Sequence, residues 1–516
     1  MKSGIVPFIM SLTAITLAAA FPGCKDDVPV SGISLEKSSI TLTIFSSEQL
    51  AWDIQPANAT NRNIIWASSN PDVADVSPKG VVTAKNFAGD GAARFSSPDT
   101  ALSQPLQSAN PIINAATGSA VITAATEDGK YKATITVTTT MEAQSSILDL
   151  PPLKDQFADY FLIGNIFRGT ASEMSGTGSA AVFSDERLTR HYSVLTAENN
   201  MKPGYLVTGY DNGTYAWNEN NRTTADNFVA SCANSGIKVV GHTLLWHNQN
   251  ASWMTGMATK SSETALAAMK GYIAEVAGRY QGKIHSWDVL NEIFPDSVQS
   301  SNNWKNVMRK ENPWYAAIGS DFVYEGFLAA RLADPEAILY YNDYNTNMPS
   351  KATMIRNMVR DVNNRYLAGS DKPAGEAPAR LLIEGIGMQE HHNNDIKAAS
   401  IKAAIDLFRP LGVILSVSEL DILAYDTYSG LEAAGGHGPS QNHNAQSSNQ
   451  QLLTQADLYG QFMELYLANA DIIERVSLWG IIDSYSWRSR GLPLLFDHNG
   501  KAKPSYYRFT GALNSK

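Results

Sequence analysis

Two glutamates stand at the ends of apolar segments that have the composition of buried β-strands. Glu292 closes the segment 284–292, and Glu419 follows the β-rich segment 413–417. Two facing carboxyl groups suit the hydrolysis of a glycosidic bond, because one can protonate the departing oxygen while the other stays ionised to attack or stabilise the anomeric carbon. The charge of Glu419 favours the protonated form of Glu292, and an ester on Glu419 would remove that charge. We therefore predict Glu292 and Glu419 as a catalytic pair.

The elements that must position this pair alternate regularly between residues 153 and 516. Eight apolar segments are separated by stretches long enough for amphipathic helices. The segments cover residues 161–167, 193–196, 238–244, 284–290, 337–341, 381–388, 413–417 and 475–480. This alternation predicts an α/β fold, a (β/α)₈ TIM barrel. An open doubly wound sheet is disfavoured because the sequence has no glycine-rich phosphate-binding turn.

Polar side chains follow most of these predicted strands. In a TIM barrel the carboxyl ends of all strands open at one mouth, where active sites lie. The residues expected there are Glu198, Asn199, His242, Trp246, His247, Asn291, Glu292, Asn342, Asp343, Gln389, His391 and Glu419. So many hydrogen-bonding groups at one mouth suit a polyhydroxylated substrate.

Length and charge limit the class of partner. The chain has 516 residues, enough for two or three domains, and a formal net charge of −10. Basic residues do not occur in runs longer than a pair or so. This distribution argues against nucleic acid or an anionic membrane surface as the main partner. A neutral polymer is the better expectation.

The N-terminus has the features of an export signal. Met1 and Lys2 precede an apolar stretch, residues 5–21, that is short for a membrane span. Residues 21–24 resemble a bacterial lipoprotein processing site, so we predict a signal over residues 1–23, lipidation of Cys24 and a tether over residues 24–29. The acidic residues after Cys24 resemble the tag of surface-exposed Bacteroidetes lipoproteins. The expected location is the cell-surface side of the outer membrane, with the lipid as the only membrane contact; the alternative is an ordinary cleaved signal.

Residues 30–140 contain short alternating runs between turn residues, which predicts an antiparallel β-sandwich. The succession from residue 64 to residue 83 resembles a bacterial immunoglobulin-like domain of the second group. This module has no convergent carboxylates or histidines, which favours a spacer; carbohydrate binding through Trp52 and Trp66 is the alternative. Residues 141–152 form a predicted linker, with a hinge at its final two prolines.

Seven motifs within residues 153–516 resemble those of the family 10 glycoside hydrolases, the endo-β-1,4-xylanases. They are TAENNMK (196–202), GHTLLWH (241–247), WDVLNE (287–292), YNDYN (341–345), GIGMQ (385–389), SELDI (418–422) and WGIIDSYSWR (479–488). The resemblance implies a TIM barrel that hydrolyses β-1,4-xylosidic linkages in xylan or xylo-oligosaccharides with retention. It also implies that no metal and no organic cofactor takes part.

The resemblance assigns roles to individual residues. Glu292 is the expected acid/base, Glu419 the nucleophile and Asn291 the partner of the sugar 2-hydroxyl. The residues expected to bind the sugar or wall its site are Glu198, Asn199, Lys202, His242, Trp246, Gln389, Trp479 and Trp487. His391 is expected to hydrogen-bond Glu419, with Asp421 behind it.

Two other functions fit the same residues: a β-1,4-glucanase of mixed specificity, and a non-catalytic xylan-binding protein of the cell surface. The motifs depart from the family in three places. Pro203 replaces a tryptophan, Glu384 replaces an aspartate, and Asn250-Ala251 lacks a proline. Pro203 is expected to alter the preference for chain length. The sequence carries no signal for an oligomeric state.

Overall fold

The computed structural model describes residues 27–85, 117–170, 172–299, 301–424 and 449–515. The predicted signal, Cys24 and the start of the tether lie outside the described residues, as do the segments 86–116 and 425–448. No helix in the described ranges is long and apolar enough to cross a membrane.

The N-terminal module is a β-sandwich, which confirms the predicted immunoglobulin-like architecture. Its strands are β1 Gly32–Leu35, β2 Ser39–Thr43, β3 Ser47–Gln49, β4 Trp52–Gln55, β5 Ile64–Ser68, β6 Ala74–Val76, β7 Val81–Ala84, β8 Thr117–Thr126 and β9 Lys132–Thr140. They form the sheets β1-β4, β3-β7-β6 and β2-β9-β8-β5. Alternate residues of β8, such as Ala120 and Ile122, are buried in the core between the sheets.

The prediction of a fully antiparallel sandwich is wrong at one pair, because β2 runs parallel to β9. A tight hairpin imposes antiparallel pairing, whereas these two strands are separated by most of the module, so no turn sets their direction. The two tryptophans also differ from each other. Trp66 packs against the sandwich core, whereas Trp52 is 40% exposed.

The C-terminal domain is a closed parallel barrel of eight strands, which confirms the predicted TIM barrel. The remaining strands of the chain are β10 Leu162–Phe167, β11 Met174–Ser175, β12 Val182–Phe183, β13 Val194–Ala197, β14 Val207–Asp211, β15 Thr214–Trp217, β16 Lys238–Leu245, β17 Ser286–Asn291, β18 Ile338–Asp343, β19 Gly385–Met388, β20 His391–His392, β21 Ile414–Ile422 and β22 Ile473–Leu478. Around the barrel the order is β10, β13, β16, β17, β18, β19, β21 and β22, and β22 pairs with β10. The short pairs β11–β12 and β14–β15 lie in loops.

Helices cover the outside of the barrel. They are α1 Leu153–Gln156, α2 Glu186–His191, α3 Pro203–Leu206, α4 Glu219–Asn234, α5 Ser252–Gly256, α6 Ser262–Arg279, α7 Pro313–Ile318, α8 Phe322–Ala333, α9 Pro349–Ala368, α10 Ala398–Phe408, α11 Asn449–Ala468 and α12 Pro504–Gly511. Side-chain caps define several starts; Ser261, for example, accepts a hydrogen bond from the backbone N–H of Thr264 ahead of α6. Apolar side chains of the helices and of the strands belong to one continuous buried core.

The sixth barrel strand is shorter than predicted and begins at Gly385. Leu382 and Ile383 are apolar and fully buried, but their backbone N–H groups donate to the side-chain oxygen of Asn363 on α9, at 3.1 and 2.8 Å. An asparagine side chain therefore satisfies the backbone that a neighbouring strand would otherwise pair.

The segment 141–152 is hydrogen-bonded to the barrel. The N–H groups of Ile147 and Ala502 donate across to Gly500 and Ser145, each at 2.8 Å. His191 of α2 lies behind them: its Nε2 donates to the carbonyl of Ile147 at 2.7 Å, and its Nδ1 accepts from the N–H of Leu153 at 3.3 Å. One imidazole thus holds the chain on both sides of the predicted hinge, at Ile147 before the two prolines and at Leu153 after them.

Candidate active site

Glu292 lies directly after β17, at the mouth of the barrel. Its backbone has a φ of 55°, in the left-handed region that L-residues seldom adopt. Three side chains converge on its carboxyl group. Trp246 Nε1 donates to Oε2 at 2.9 Å, Gln389 Nε2 donates to Oε1 at 2.9 Å, and Asn291 Nδ2 donates to Oε1 at 3.2 Å. Strained backbone held by this many contacts is a feature of functional sites.

Glu419 lies within β21 and is buried, with a 5% exposed surface. Asn342 Nδ2 donates to its Oε1 at 2.8 Å, and His391 Nε2 lies 3.2 Å from its Oε2. Burial alone would raise the pKa of Glu419, but the hydrogen bond from His391 and the charges of His242 and His391 outweigh burial and hold this pKa below its usual range. Glu419 is therefore the carboxyl group that stays ionised.

Asn342, the penultimate residue of β18, joins the surroundings of the two glutamates. The same Nδ2 that donates to Glu419 also donates to Asn291 Oδ1, at 3.0 Å, and Ser418 donates to Asn342 Oδ1 at 2.6 Å. The sequence predicts Asn342 at the mouth of the barrel but does not mark it as a member of the site. The signal was present in the alternation of β18, because only one of the neighbours Asn342 and Asp343 can face the barrel axis.

Asp343 is the neighbour that faces the other way. Its carboxylate forms a fully buried ion pair with Lys351 Nζ of α9, at 2.7 Å. Burial raises the pKa of Asp343 to about 6, with the charge of Lys351 opposing that rise. This pair anchors a helix to a strand behind the mouth and takes no direct part in the contacts of Glu292 or Glu419.

His391 lies between two carboxylates. Its Nε2 faces Glu419, and its Nδ1 lies 2.9 Å from Asp421 Oδ2. Burial alone would lower the pKa of His391, but Asp421 and Glu419 together raise it to about 9. Asp421 is held in turn by Arg488 Nη1 at 2.5 Å and by Trp487 Nε1 at 3.1 Å. An imidazolium fixed at both nitrogens can keep Glu419 ionised over a wide range of pH.

Polar groups extend from the glutamates toward the strand β13. Lys202 Nζ donates to Asn199 Oδ1 at 3.2 Å and lies 5.1 Å from the ring centroid of Trp246. Burial lowers the pKa of Lys202 and raises the pKa of Glu198, with the opposite charges of the two residues working against both shifts. Trp479, 6% exposed, and Trp487, 37% exposed, both pack edge-on against His391. Acceptors, donors and aromatic walls of this kind suit a sugar.

His242 on β16 connects this mouth to the interior of the barrel. Its Nδ1 lies 2.9 Å from Oδ2 of Asp288, and both side chains are 2% exposed. The ring of His242 packs against Trp479, with centroids 5.7 Å apart. The structure therefore brings His242 together with the other predicted site residues and adds Asp288 as its support.

The departures from the family motifs lie away from the two glutamates. Glu384 accepts hydrogen bonds from the backbone N–H of Leu339 at 3.1 Å and from Arg331 and Arg380, on the outer side of the barrel wall. Pro203 is buried as the first residue of α3, where its missing N–H costs no helical hydrogen bond. Within the described ranges, His, Cys, Asp and Glu form no group of three or more suited to a metal ion.

Chemically, the arrangement offers one carboxyl group, Glu292, that accepts from neutral donors and one, Glu419, that an imidazolium keeps ionised. Glu292 can exchange a proton with an oxygen in the cleft, and Glu419 can act as an oxygen nucleophile toward an electrophilic carbon between them. This division of labour between two carboxyl groups is the requirement of glycoside hydrolysis with retention.

Comparison with known proteins identifies the two domains. A family model described as Glycosyl hydrolase family 10 matches residues 153–512, and one described as Bacterial Ig-like domain (group 2) matches residues 29–90. The endo-1,4-beta-xylanase of Geobacillus stearothermophilus is 32% identical over 372 residues, which cover 70% of this chain and 98% of that protein. Endo-1,4-beta-xylanase A of Thermotoga maritima is 31% identical over 374 residues, 70% of this chain, and the match spans only 30% of that longer protein.

A solved structure is similar over both domains. It is a bacterial Ig-like domain containing GH10 xylanase from termite gut, 44% identical, with a TM-score of 0.79 over 92% of this chain and 98% of that one. The family model alone covers more than half of the sequence. The chain therefore belongs to glycosyl hydrolase family 10 and carries a group 2 bacterial Ig-like domain ahead of its barrel.

Proposed function

We propose that this chain is an endo-β-1,4-xylanase that cleaves xylan with retention of anomeric configuration. The observation that carries the proposal is the different environment of two carboxyl groups at one barrel mouth. Glu419 is held ionised by the cationic His391 and by Asn342, whereas the donors to Glu292 are the neutral side chains of Trp246 and Gln389. Membership of the family and the xylanase names of its relatives support xylan as the substrate.

In the first half of the reaction, Glu419 attacks the anomeric carbon of the sugar in the cleft. The bond from that carbon to the glycosidic oxygen breaks as the new carbon–oxygen bond to Glu419 forms, and Glu292 gives its proton to the departing oxygen. The shortened chain leaves with a new hydroxyl group, and the other part stays bound to Glu419 as an ester. The lost charge on Glu419 makes the ionised form of Glu292 easier to reach.

In the second half, water attacks the anomeric carbon of the glycosyl ester and passes a proton to Glu292. The bond to Glu419 breaks, Glu419 leaves as a carboxylate, and both glutamates return to their starting protonation states. Each half inverts the anomeric carbon, so the product retains its configuration. Asn291, whose amide lies between the two carboxyl groups, is placed to hydrogen-bond the sugar 2-hydroxyl during both steps.

The decisive experiment replaces the nucleophile and measures release of reducing ends. We expect Glu419→Ala to bind xylan and release no reducing ends. The matched control is Glu384→Gln, because Glu384 is also a partly buried glutamate of the barrel but pairs with Arg331 on its outer side. Full activity in Glu419→Ala would refute the nucleophile assignment, and a faster wild-type rate on carboxymethylcellulose than on xylan would refute the substrate.

We also propose that the protein is an exported lipoprotein of the outer membrane, held at the cell surface through a lipid on Cys24. The support is the sequence of residues 1–27, where a charged start, an apolar stretch and a cysteine followed by acidic residues occur in the order of a lipoprotein signal. We also propose the limits of the five segments. They are the signal at residues 1–23, the tether at 24–29, the Ig-like domain at 30–140, the linker at 141–152 and the barrel domain at 153–516. Cys24→Ala is expected to shift the protein from the membrane fraction to the soluble fraction, and continued membrane association would contradict the anchor.

A further inference from the structure

The interior of this barrel holds charged side chains where bulky aliphatic residues usually fill the layers of a TIM barrel. Arg475 of β22 is 1% exposed, and Asp288 of β17 is 2% exposed. A buried charge is costly unless it is paired, so both residues need a reason to be there.

The contacts of Arg475 lead from the barrel interior to the site. Its Nη1 donates to Ser286 Oγ at 2.9 Å, its guanidinium lies 4.9 Å from the ring centroid of Tyr340, and its Nη2 lies 3.8 Å from Asp288 Oδ1. Among the described residues, Asp288 Oδ1 has no hydrogen-bond partner. Arg475 is therefore the charge that balances this oxygen, while the other oxygen of Asp288 contacts His242.

This arrangement fixes the imidazole of His242. The carboxylate of Asp288 accepts from Nδ1 of His242 and so fixes which ring nitrogen, Nε2, remains for the sugar. Without a cation beside it, the carboxylate of Asp288 would be buried with only the imidazole to balance it. It would then turn away from His242, and the Nδ1–H would lose its acceptor.

Glu474, which precedes Arg475 on β22, is the other carboxylate near this cation, and it has partners of its own. Glu474 already accepts from Tyr340 at 2.7 Å and lies 2.7 Å from His285 Nε2. Among the described residues, the charged contacts of Asp288 are with His242 and Arg475. The pairing with Arg475 thus serves the residue that reaches the cleft.

We propose that Arg475 is a positioning residue for the glycosidase reaction, which acts through Asp288 to hold His242 in the orientation that the bound sugar requires. This inference rests on the proposed function, because His242 has a substrate to orient only if the mouth binds one. Arg475 touches no sugar and no reacting atom; its effect is carried by two contacts in series.

The test is a double-mutant cycle in the full chain, read as kcat/KM on xylan. We expect Arg475→Met to lower kcat/KM roughly 10- to 100-fold, since small displacements in a cleft have effects of this size. Arg475→Lys should recover part of the loss by restoring the charge. Combined with His242→Ala, Arg475→Met should lower kcat/KM by no more than about twofold further, because the interaction it supports is already gone.

The control is Arg331→Met. Arg331 is also fully buried, but it donates to the carbonyls of Pro335 and Ala337 and pairs with Glu384 outside the barrel. Arg331→Met should lower the melting temperature. The loss of kcat/KM in the variant that combines Arg331→Met with His242→Ala should equal the product of the two single losses. A purely structural Arg475 would behave in the same way, and that result would overturn the proposal.

Two further results separate the possible failures. If Arg475→Met is too unstable to purify, the cycle is run with Arg475→Lys and with Arg475→Met/Asp288→Asn, which removes both charges together. Effects that multiply with His242→Ala in both would overturn the positioning role. A wild-type chain without activity on xylan overturns the proposed function instead, and this is measured before any variant.

Discussion

Asn342 donates a 2.8 Å hydrogen bond to Oε1 of Glu419. The same amide nitrogen donates to Asn291, which in turn donates to Glu292, so the two glutamates share one hydrogen-bonded bridge. The bridge holds the carboxyl groups in a fixed relation before any substrate is bound, which is the preorganisation that electrostatic catalysis requires.

Asn342→Ala should lower kcat/KM roughly 10- to 100-fold, because a hydrogen bond to a charged group contributes about 1.5–3 kcal/mol. The bond from Asn342 helps to lower the pKa of Glu419, so its removal should raise that pKa and move the acidic limb of the pH profile of kcat/KM to higher pH. Asn363→Ala is the control: it removes a buried asparagine that serves only backbone groups, and it should lower the melting temperature without moving the limb.

Trp246→Phe should reduce kcat/KM about tenfold while the fold is kept, because an aromatic ring remains and the Nε1 donor to Glu292 is lost. Trp304→Phe removes a comparable donor, to Asp361 at 3.0 Å, at a place remote from the glutamates. Steady-state kinetics on xylan would separate the two variants. Equal losses in both would show that the Trp246 donor has no special role.

The charge of His391 should contribute stability that depends on pH. Its pKa in the folded chain is about 9, above the value of about 6.5 for an unfolded histidine. A raised pKa contributes stability that is fully present below about pH 6.5 and is lost as the pH rises through about 9. His391→Asn should therefore lower the melting temperature most at about pH 6 and least at about pH 10. A difference that stays constant across this range would contradict the role of the charge.

His191 should produce the opposite dependence. Burial lowers the pKa of this histidine to about 4, so its stability contribution is present above about pH 6.5 and is lost as the pH falls through about 4. Protonation removes the acceptor that holds the N–H of Leu153. In acid, the segment 141–152 is therefore expected to open, and limited proteolysis should detect the opening as faster cleavage.

His191→Gln provides the matched variant, because its amide can donate and accept in place of the two ring nitrogens but does not titrate. It should keep the segment protected at both acidic and neutral pH. His191→Ala should expose it at both. If acid opens the segment equally in wild type and His191→Gln, another group is responsible.

Azide can separate the roles of the two glutamates. With an activated aryl glycoside, azide should restore turnover to Glu419→Ala with an inverted glycosyl azide as product, since it takes the place of the nucleophile. With Glu292→Ala it should give a retained azide, because it then replaces water in the second half. Proton NMR of the products distinguishes the two, and exchanged outcomes would reverse the assignments.

Most of the barrel could be predicted because each strand combined an apolar run with a polar end, as in the segment that leads to Glu292. The predicted sixth strand was too long by residues 381–384. These residues include buried apolar side chains, as a strand does, but the side chain of Asn363 takes the hydrogen bonds that a neighbouring strand would form. Local pattern also could not show that β2 and β9 run parallel, since no turn between them fixes a direction.

The site was predictable in its outline and less so in its supports. Residues that end strands, such as Glu292 and Gln389, follow from position alone. Position at the end of β18 also places Asn342 at the mouth, but it does not reveal that its partner is Glu419, 77 residues away. In the same way, the sequence does not reveal that Arg475 pairs with Asp288 across the barrel. Such pairings are set by tertiary packing and leave no short-range signal.

The hydrogen bonds around residues 145–147 also have a mechanical consequence. A pull on the N-terminal end of the chain passes along β9 and reaches the barrel at Ile147, beside Gly500 and His191. A flexible hinge would extend under such a force. These hydrogen bonds instead transmit the force to the barrel. Tension along the chain from the Ig-like module therefore reaches the barrel without first extending residues 145–153.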